Sequence, residues 1–530
     1  MKSQQLPERA NLEQLKKQAK NLLRAARAKE PEALQRFLAL PHFARGLADP
    51  AGINLALHDA QFVIAREYGF KSWKELREEI EERSLGFAAA LDEFVRCATG
   101  SAPARAFRLL ARYPTLAHAS LQSELVLGDA RAVGERLRQH PEIATQPGGI
   151  QNWEPLLYVC HTCLHHDTPE RCAGLVAIAR ELLKRGANPN AEYHWDWHPE
   201  LPRTALWGAL CAVNHFPLAE VLLEGGANPT DGVSMHITAG SGNLAALELL
   251  HRFGANVNGI PGGVPPLPYI LTWSSMSQGP SGARWLVEHG ANTNLSWGDL
   301  KEAPLHVAAR RWDVPMVELL VRHGADIHQQ RADGRAPYAL AVLHGNEPVA
   351  AWLLAHGAKD ETSELDRFVS ACARGDGARA REMLMATPGL AHELTLEHHL
   401  MMHGPAERGN AAVLETMLAS GFDPNAKDKD GVTALHRAAM AGREEAVRVL
   451  LAHGASVRSI DGMFSANPLV WATEGWRHSS GEGVDHIAVA RLLIAAGCPQ
   501  EWEAPEKAPD PEGTHERLAE LCRAAAFTAA

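Results

Sequence analysis

The stretch TALHRAAMAGREEAVRVLLAHG (433–454) decides the fold of this chain. Its apolar residues recur three or four positions apart in two short runs, a spacing that predicts two amphipathic helices joined by a short loop. Gly454 follows the second run, where a residue without a Cβ atom can take the left-handed conformation that ends a helix. The stretch therefore predicts one structural unit: helix, short loop, helix, terminal glycine.

The same terminal glycine returns along the chain, inside strings such as RGANPN, FGANVN, HGADIH and SGFDPN. We take as equivalent Gly186, Gly226, Gly254, Gly290, Gly324, Gly357, Gly421, Gly454 and Gly497. Their spacing centres on about 33 residues, and the long interval from Gly357 to Gly421 fits two units. Repetition at this period predicts a solenoid, in which each unit buries its apolar face against its neighbours.

A second marker precedes several of the predicted helix pairs. APLHVAA (303–309) and TALHRAA (433–439) share a T-P-L-H-x-A pattern, SMHITAG (234–240) follows it more loosely, and Asp-Gly turn dipeptides lie upstream. Turn, cap and glycine recurring in phase resemble the ankyrin-repeat family over roughly 150–500. The resemblance implies an all-α ankyrin-repeat solenoid of about a dozen helix-turn-helix units with short β-hairpin turns.

The repeats divide the chain into five predicted regions. These are an N-terminal helical cap at 1–85, degenerate repeats at 86–148, repeats with long aromatic inserts at 149–360, a second block at 361–500 and a C-terminal cap or tail at 501–530. The first region contains a basic amphipathic helix, which fits a polar-faced cap or a membrane-surface or partner-binding helix. It resembles the segment that precedes ankyrin arrays in many bacterial proteins, and this suggests a bacterial origin.

Composition narrows the classes of function. A chain of 530 residues is too long for one compact core, and no apolar run reaches the length of a membrane span. The formal charge of −11 disfavours a nucleic-acid partner, because phosphate contacts need clustered Lys and Arg. The N-terminus lacks the apolar region of an export signal, so we expect a cytoplasmic protein whose eight cysteines are reduced thiols.

Tryptophan and histidine gather where the repeat period fails, in inserts at 191–204, 259–282 and 463–486. Aromatic side chains beside Arg and His are typical of binding hot spots. We predict a Trp/His-rich concave face that binds a protein or peptide, although long loops also need apolar residues for their own packing. The predicted contact residues are Trp153, His161, Trp195, Trp197, Trp207, Tyr269, Trp273, Trp297, Trp471, Glu474, Trp476 and Arg477.

An alternative is an enzyme or small-molecule-binding protein whose pocket the three inserts form. His194, Asp196, Glu474 and His478 are the candidate acid–base groups for such a pocket. The sequence contains no nucleophile elbow, P-loop, dinucleotide fingerprint or H-E-x-x-H motif, and we expect no cofactor. The alternative requires residues from distant repeats to converge on one enclosed pocket.

Two groups of histidine and cysteine have simpler interpretations. His236, His306 and His436 occupy the T-P-L-H position, and four more histidines precede terminal glycines, so we expect structural roles for these seven. Cys160-x-x-Cys163 with His165 has the spacing of half a zinc site, but no second pair follows it. We therefore expect no metal, with Cys160 in the core and His161 facing the groove.

Overall fold

The computed structural model of the protein describes residues 6–7, 10–38, 55, 57–100, 102–164, 168–195, 198–260, 263–273, 280–478, 484–502 and 514–527. The chain divides into two compact units. The first unit comprises Met1–Glu192 and Thr204–Ala227, and the second unit comprises Tyr193–Arg203 and Asn228–Ala530.

The first unit begins with four helices that share their own core. They are α1 (Leu12–Arg27), α2 (Pro31–Phe37), α3 (Leu57–Glu67) and α4 (Trp73–Ser84). The side chain of Asn11 caps α1 by accepting the backbone N–H groups of Glu13 and Gln14. Leu15 and Leu22 of α1 are buried against residues of the other three helices. The apolar face of the basic helix is thus buried inside the unit.

Helix pairs follow in the first unit. They are α5 (Phe87–Ala98), α6 (Pro103–Arg112), α7 (Leu121–Leu127), α8 (Ala130–Gln139), α9 (Pro155–His161), α10 (Pro169–Lys184), α11 (Ala205–Trp207) and α12 (Phe216–Glu224). Glu82 of α4, 2% exposed, forms ion pairs with Arg105 and Arg108 of α6 and so joins the four-helix core to the first pair. A two-stranded sheet of β1 (Glu192–Trp195) and β2 (His198–Thr204) follows α10 along the chain.

The second unit continues the helix pairs. Its helices are α13 (Ser234–Gly240), α14 (Leu244–Arg252), α15 (Pro266–Trp273), α16 (Ser281–Glu288), α17 (Pro304–Arg311), α18 (Val314–Arg322), α19 (Pro337–Leu343), α20 (Glu347–Ala355), α21 (Glu364–Ala373), α22 (Gly377–Ala386), α23 (Leu396–Leu400), α24 (His403–Arg408), α25 (Ala411–Ala419), α26 (Ala434–Met440), α27 (Glu444–Ala452), α28 (Pro468–His478), α29 (His486–Ala495) and α30 (Thr514–Phe527). One continuous core of Leu, Val, Ala and Met side chains runs from α19 to α30.

The terminal glycines behave as predicted. All nine have φ between 84° and 98°, the left-handed region in which a side chain would be strained. Each ends the second helix of a pair, and after most of them the chain enters a turn, here called a finger, that leads to the next pair. Outside β1 and β2, the fingers in the described residues carry single bridges, such as Trp297 to Glu302, rather than regular strands.

Several consecutive fingers are joined by an asparagine that lies four positions after the terminal glycine. The Oδ1 atom of Asn258 accepts the backbone N–H of Asn292 at 2.7 Å, and Asn294 accepts that of Asp326 at 2.8 Å. Asn425 accepts the N–H of Ser456 in the same way. The recurring asparagine therefore forms a hydrogen bond between neighbouring repeats. This role explains why it keeps a constant distance from the terminal glycine in the sequence.

The T-P-L-H histidines also join neighbouring repeats, as predicted. Nδ1 of His306 accepts the N–H of Ala303 at 3.0 Å, so Nε2 carries the proton and donates to the Gln329 carbonyl at 2.8 Å. Nε2 of His236 and of His436 contacts the carbonyls of Val264 and Ala466 in the following finger. The His306 and His436 rings need the neutral form, because Nδ1 of each accepts a backbone N–H.

Protonation of His436 should therefore destabilise the repeats. Burial lowers the pKa of this imidazole from 6.5 to about 4, so the unfolded chain binds the proton more tightly than the folded chain. We expect the free energy of unfolding to fall as pH drops from about 6.5 to about 4. The His436→Gln variant should lose part of that slope in denaturant unfolding of the second unit. An unchanged slope would contradict this role for His436.

Candidate functional site

Three of the predicted contact residues converge in the first unit. The His161 ring centroid lies 5.5 Å from that of Trp153 and 5.9 Å from that of Trp207. Trp153 also contacts Tyr158 at 5.4 Å, which completes the aromatic cluster of these four residues. His161 is 4% exposed and both tryptophans are half-buried, so the cluster presents tryptophan surface with a buried imidazole between the rings.

Local backbone features hold this aromatic cluster together. The Tyr158 hydroxyl donates to the Gly148 carbonyl at 2.7 Å, and Gly148 pairs with Trp153 across the finger. A Cβ atom at Gly208 would lie 2.6 Å from Cε1 of His161 and 2.8 Å from the Cys160 carbonyl oxygen, so only glycine permits this approach. Gly208 also begins a π-helical turn (Gly208–Ala212), a feature frequent at functional sites.

A second surface forms around Trp471 in the second unit. The guanidinium carbon of Arg437 lies 5.7 Å from the Trp471 ring centroid, and His436 meets the same ring edge-on at 5.5 Å. Met440 and Trp476, on the same two helices α26 and α28, are 39% and 37% exposed. We call Arg437, Met440, Trp471 and Trp476 the Arg437–Trp471 surface.

Asp461 fixes the orientation of Trp471. The indole N–H of Trp471 donates to Oδ2 of Asp461 at 2.9 Å, and Oδ1 accepts the backbone N–H groups of Met463 and Phe464. Asp461 is 3% exposed, so its carboxylate is shielded from water, and both of its oxygens accept hydrogen bonds from the protein. The sequence marked Asp461 only as part of an Asp-Gly turn dipeptide, and its link to Trp471 became visible in the structure.

The charged groups at the Arg437–Trp471 surface are Arg437 and its neighbour Asp428. Arg437 Nη2 lies 3.7 Å from Oδ2 of Asp428, and its side chain is 36% exposed. His403 lies in the same neighbourhood, where burial and then the charge of Arg437 lower the imidazole pKa to about 4. The ring is neutral at pH 7, and the cation over the indole face is the Arg437 guanidinium.

Other predicted residues lie apart from these two sites. Tyr269 packs against the edge of His236, and Trp297 is half-buried in its finger. The Glu474 carboxylate accepts hydrogen bonds from Thr514 and Arg517 and so anchors α30. His194 is exposed on β1. Outside the described residues lie Asp196, Trp197, His165 and the side chains of Trp195, Trp273, Arg477 and His478.

Known proteins share the repeats described above. A family model described as ankyrin repeats (3 copies) matches residues 271–363 and 402–501. The chain is an ankyrin-repeat protein. A putative palmitoyltransferase ZDHHC13 from Danio rerio is 30% identical over 36% of this chain, a match that covers 25% of its own length. A putative ankyrin repeat protein FPV223 of Fowlpox virus is 28% identical over 26% of this chain and 97% of its own length.

One solved structure among the matches is the human ASB11 ankyrin repeat domain. It is 25% identical, with a TM-score of 0.32, and the match covers 46% of this chain and 99% of that one. The relatives named here come from animals and a virus, so a bacterial origin for this ankyrin-repeat protein stays a prediction.

The metal prediction for the ankyrin array concerns Cys160, Cys163 and His165. Cys160 is fully buried in α9, and burial raises the pKa of its thiol. Cys163 Sγ donates to the Cys97 carbonyl at 3.5 Å. In the part of the chain that the structure describes, no group of three or more His, Cys, Asp or Glu side chains is arranged to hold a metal ion. In that same part, no helix is long and apolar enough to cross a membrane.

A buried ion network in the ankyrin array was not predicted at all. Arg331, 2% exposed, contacts Glu302, Asp333 and Glu397, with a distance of 2.9 Å to both glutamates. Arg335 pairs with Asp366 at 2.8 Å and approaches His398 at 3.2 Å. Burial alone would raise the pKa of Asp333, but hydrogen bonds from Arg331 and Arg335 lower it well below its usual value. The network joins four successive repeats, those of α17, α19, α21 and α23, through the finger at 326–336.

Proposed function

We propose that this protein is a binding scaffold that recognises a protein or peptide partner through the Arg437–Trp471 surface. Ankyrin repeats are protein-interaction modules, and the family match over 402–501 includes this surface. The observation that carries the proposal is the clamped indole of Trp471 under an exposed guanidinium. A rigid aromatic residue beside an arginine is the composition typical of interface hot spots.

Preorganisation supports a binding role for this surface. Asp461 holds the Trp471 ring, and Asp428 lies close to the guanidinium of Arg437, so neither side chain loses much conformational entropy when a partner binds. Met440 and Trp476, on the same two helices, also expose apolar area. The aromatic cluster of the first unit supplies a contact of the same kind, with Trp153 and Trp207 half-buried.

The proposal includes a cytoplasmic location and excludes nucleic acid as the main partner. All eight cysteines are free thiols, and four of them are buried, as suits a reducing compartment. The net charge of −11 supports a protein or peptide partner over a polyanion. A small molecule stays a secondary option for the aromatic cluster.

Substitution of Arg437 tests the proposed function. Peptides that bind the purified chain would be selected from a displayed library, and their affinities measured by calorimetry. We expect Arg437→Ala to weaken binding about 30-fold, the loss that corresponds to a hot-spot contribution of about 2 kcal/mol.

The matched control is Arg448→Ala, which removes a more exposed cation from α27, where it pairs with Glu444. We expect this variant to bind the selected peptides as tightly as the unchanged chain. Equal affinities for both variants, or equal losses, would show that the Arg437–Trp471 surface is not the recognition surface.

A further inference from the structure

One repeat lacks its finger. From the terminal glycine to the residue that caps the next helix there are 12 positions in Gly324–Ala336 and 12 in Gly421–Thr433, but 6 in Gly357–Ser363. The chain passes from α20 to α21 through a short link only. The finger at 326–336 therefore has no finger on its following side.

Elsewhere in the second unit a finger donates to the one before it. The N–H of Ala332 donates to the Leu300 carbonyl at 2.8 Å, and the N–H of Gly462 donates to the Asp430 carbonyl at 2.7 Å. The equivalent acceptor in the finger at 326–336 is the Asp333 carbonyl. Among the described residues it accepts no backbone hydrogen bond, because the finger that would donate does not exist.

A groove occupies the space beside this edge. Its floor contains Ile327, Ala336 and Tyr338, and its walls contain His328 and Gln330 on one side and Lys359 on the other. Tyr338 is 9% exposed, and its hydroxyl has no hydrogen-bond partner among the described residues. The groove thus offers apolar floor residues and a tyrosine hydroxyl that is open to a hydrogen-bond partner.

The finger beside the groove is held rigid without a neighbouring finger. Arg335 forms a hydrogen bond with Asp366, and Arg331 forms one with Glu397. These bonds to the following repeats hold the tip of the finger in place. A preformed edge loses little conformational entropy when a strand is added to it.

We propose that this groove binds an extended peptide segment, which takes the place of the missing finger. The main chain of the peptide pairs with the exposed edge at 328–333, and one apolar side chain packs on Ile327 and Tyr338. An extended segment is favoured over a helix because the vacant acceptor, the Asp333 carbonyl, belongs to the finger backbone. The site is separate from the Arg437–Trp471 surface and goes beyond the proposed function.

A finger of this chain is the natural probe. A cyclised peptide of residues 423–433 (DPNAKDKDGVT) would be titrated into the full chain labelled with fluorotyrosine, and the Tyr338 resonance assigned with Tyr338→Phe. We expect a saturable shift of that resonance at peptide concentrations up to about 1 mM, typical of a weak interaction. Gln330→Trp, a change at an exposed wall residue, should weaken binding at least tenfold by filling the groove.

Gln139→Trp, at an exposed glutamine of α8, is the matched control and should leave the titration unchanged. An unmoved Tyr338 resonance, or a shift that persists in Gln330→Trp, would overturn the proposal. Arg437→Ala should not affect this titration, so the failure of either proposal is distinguishable from the failure of the other.

Discussion

Replacement of Arg331 by methionine is expected to lower the free energy of unfolding of the second unit by about 3–5 kcal/mol, the usual cost of removing one partner from a buried ion network. Methionine fills similar volume but leaves Glu302, Asp333 and Glu397 without their shared cation. Three partly exposed carboxylates then lie close together around the finger at 326–336 with less positive charge to balance them. Hydrogen exchange of amides in α17 to α21, with and without denaturant, would measure the change.

The control for this substitution is Arg322→Met. Arg322 lies on α18 with its side chain 65% exposed, and it pairs with Glu318 on the same helix. Exposed pairs of this kind contribute less than about 1 kcal/mol, so the control should differ little from the unchanged chain. If both variants lose the same stability, the buried network does not hold the repeats together.

The stability lost in Arg331→Met should depend on pH in a defined direction. The network keeps the pKa of Asp333 below its ordinary value of 3.8, so the carboxylate stabilises the folded state above that pH. As pH falls below about 4, this contribution disappears from the unchanged chain. The difference between the two proteins should therefore narrow on acidification.

Replacement of Gly475 by alanine is the second substitution with a large expected effect. A Cβ atom at this position would lie 1.8 Å from the carbonyl oxygen of Met440 and 2.6 Å from Nε2 of His486. His486 donates to that same carbonyl at 3.0 Å, so α26, α28 and α29 meet at this point. We expect a loss of about 3 kcal/mol, because α28 must move away from backbone atoms that cannot yield.

Gly134→Ala makes the same chemical change without the overlap. Gly134 lies inside α8, where the nearest atom to a new Cβ is the tip of the Arg138 side chain at 4.0 Å. Alanine is the better helix former, so this variant should gain about 0.5–1 kcal/mol. Thermal unfolding followed by circular dichroism distinguishes the two, and a Gly475→Ala protein as stable as the unchanged chain would contradict the close packing.

Much of the candidate site could not have been predicted residue by residue. Trp153 and Trp207 stood out as tryptophans on turn or inner-helix stretches and His161 as a histidine that the repeat pattern does not explain, and the structure brings them together. Trp471 stood out because it lies in the insert at 463–486, but its partner Arg437 reads in the sequence as an ordinary exposed helix residue. Asp461 reads as a turn residue. Their contact depends on how α26, α28 and the finger between them pack, which periodicity does not specify.

The sequence by itself determined the repeat: the helix pairs, the nine left-handed glycines and the T-P-L-H histidines follow from interactions within one unit or with the next. Only the tertiary structure decided where the repeats depart from their pattern. Arg331 meets Glu397 across 66 residues, and the missing finger becomes a groove because the edge beside it remains fixed. Local spacing encodes backbone conformation, whereas burial of charge and an open edge depend on which distant side chains fill the space between repeats.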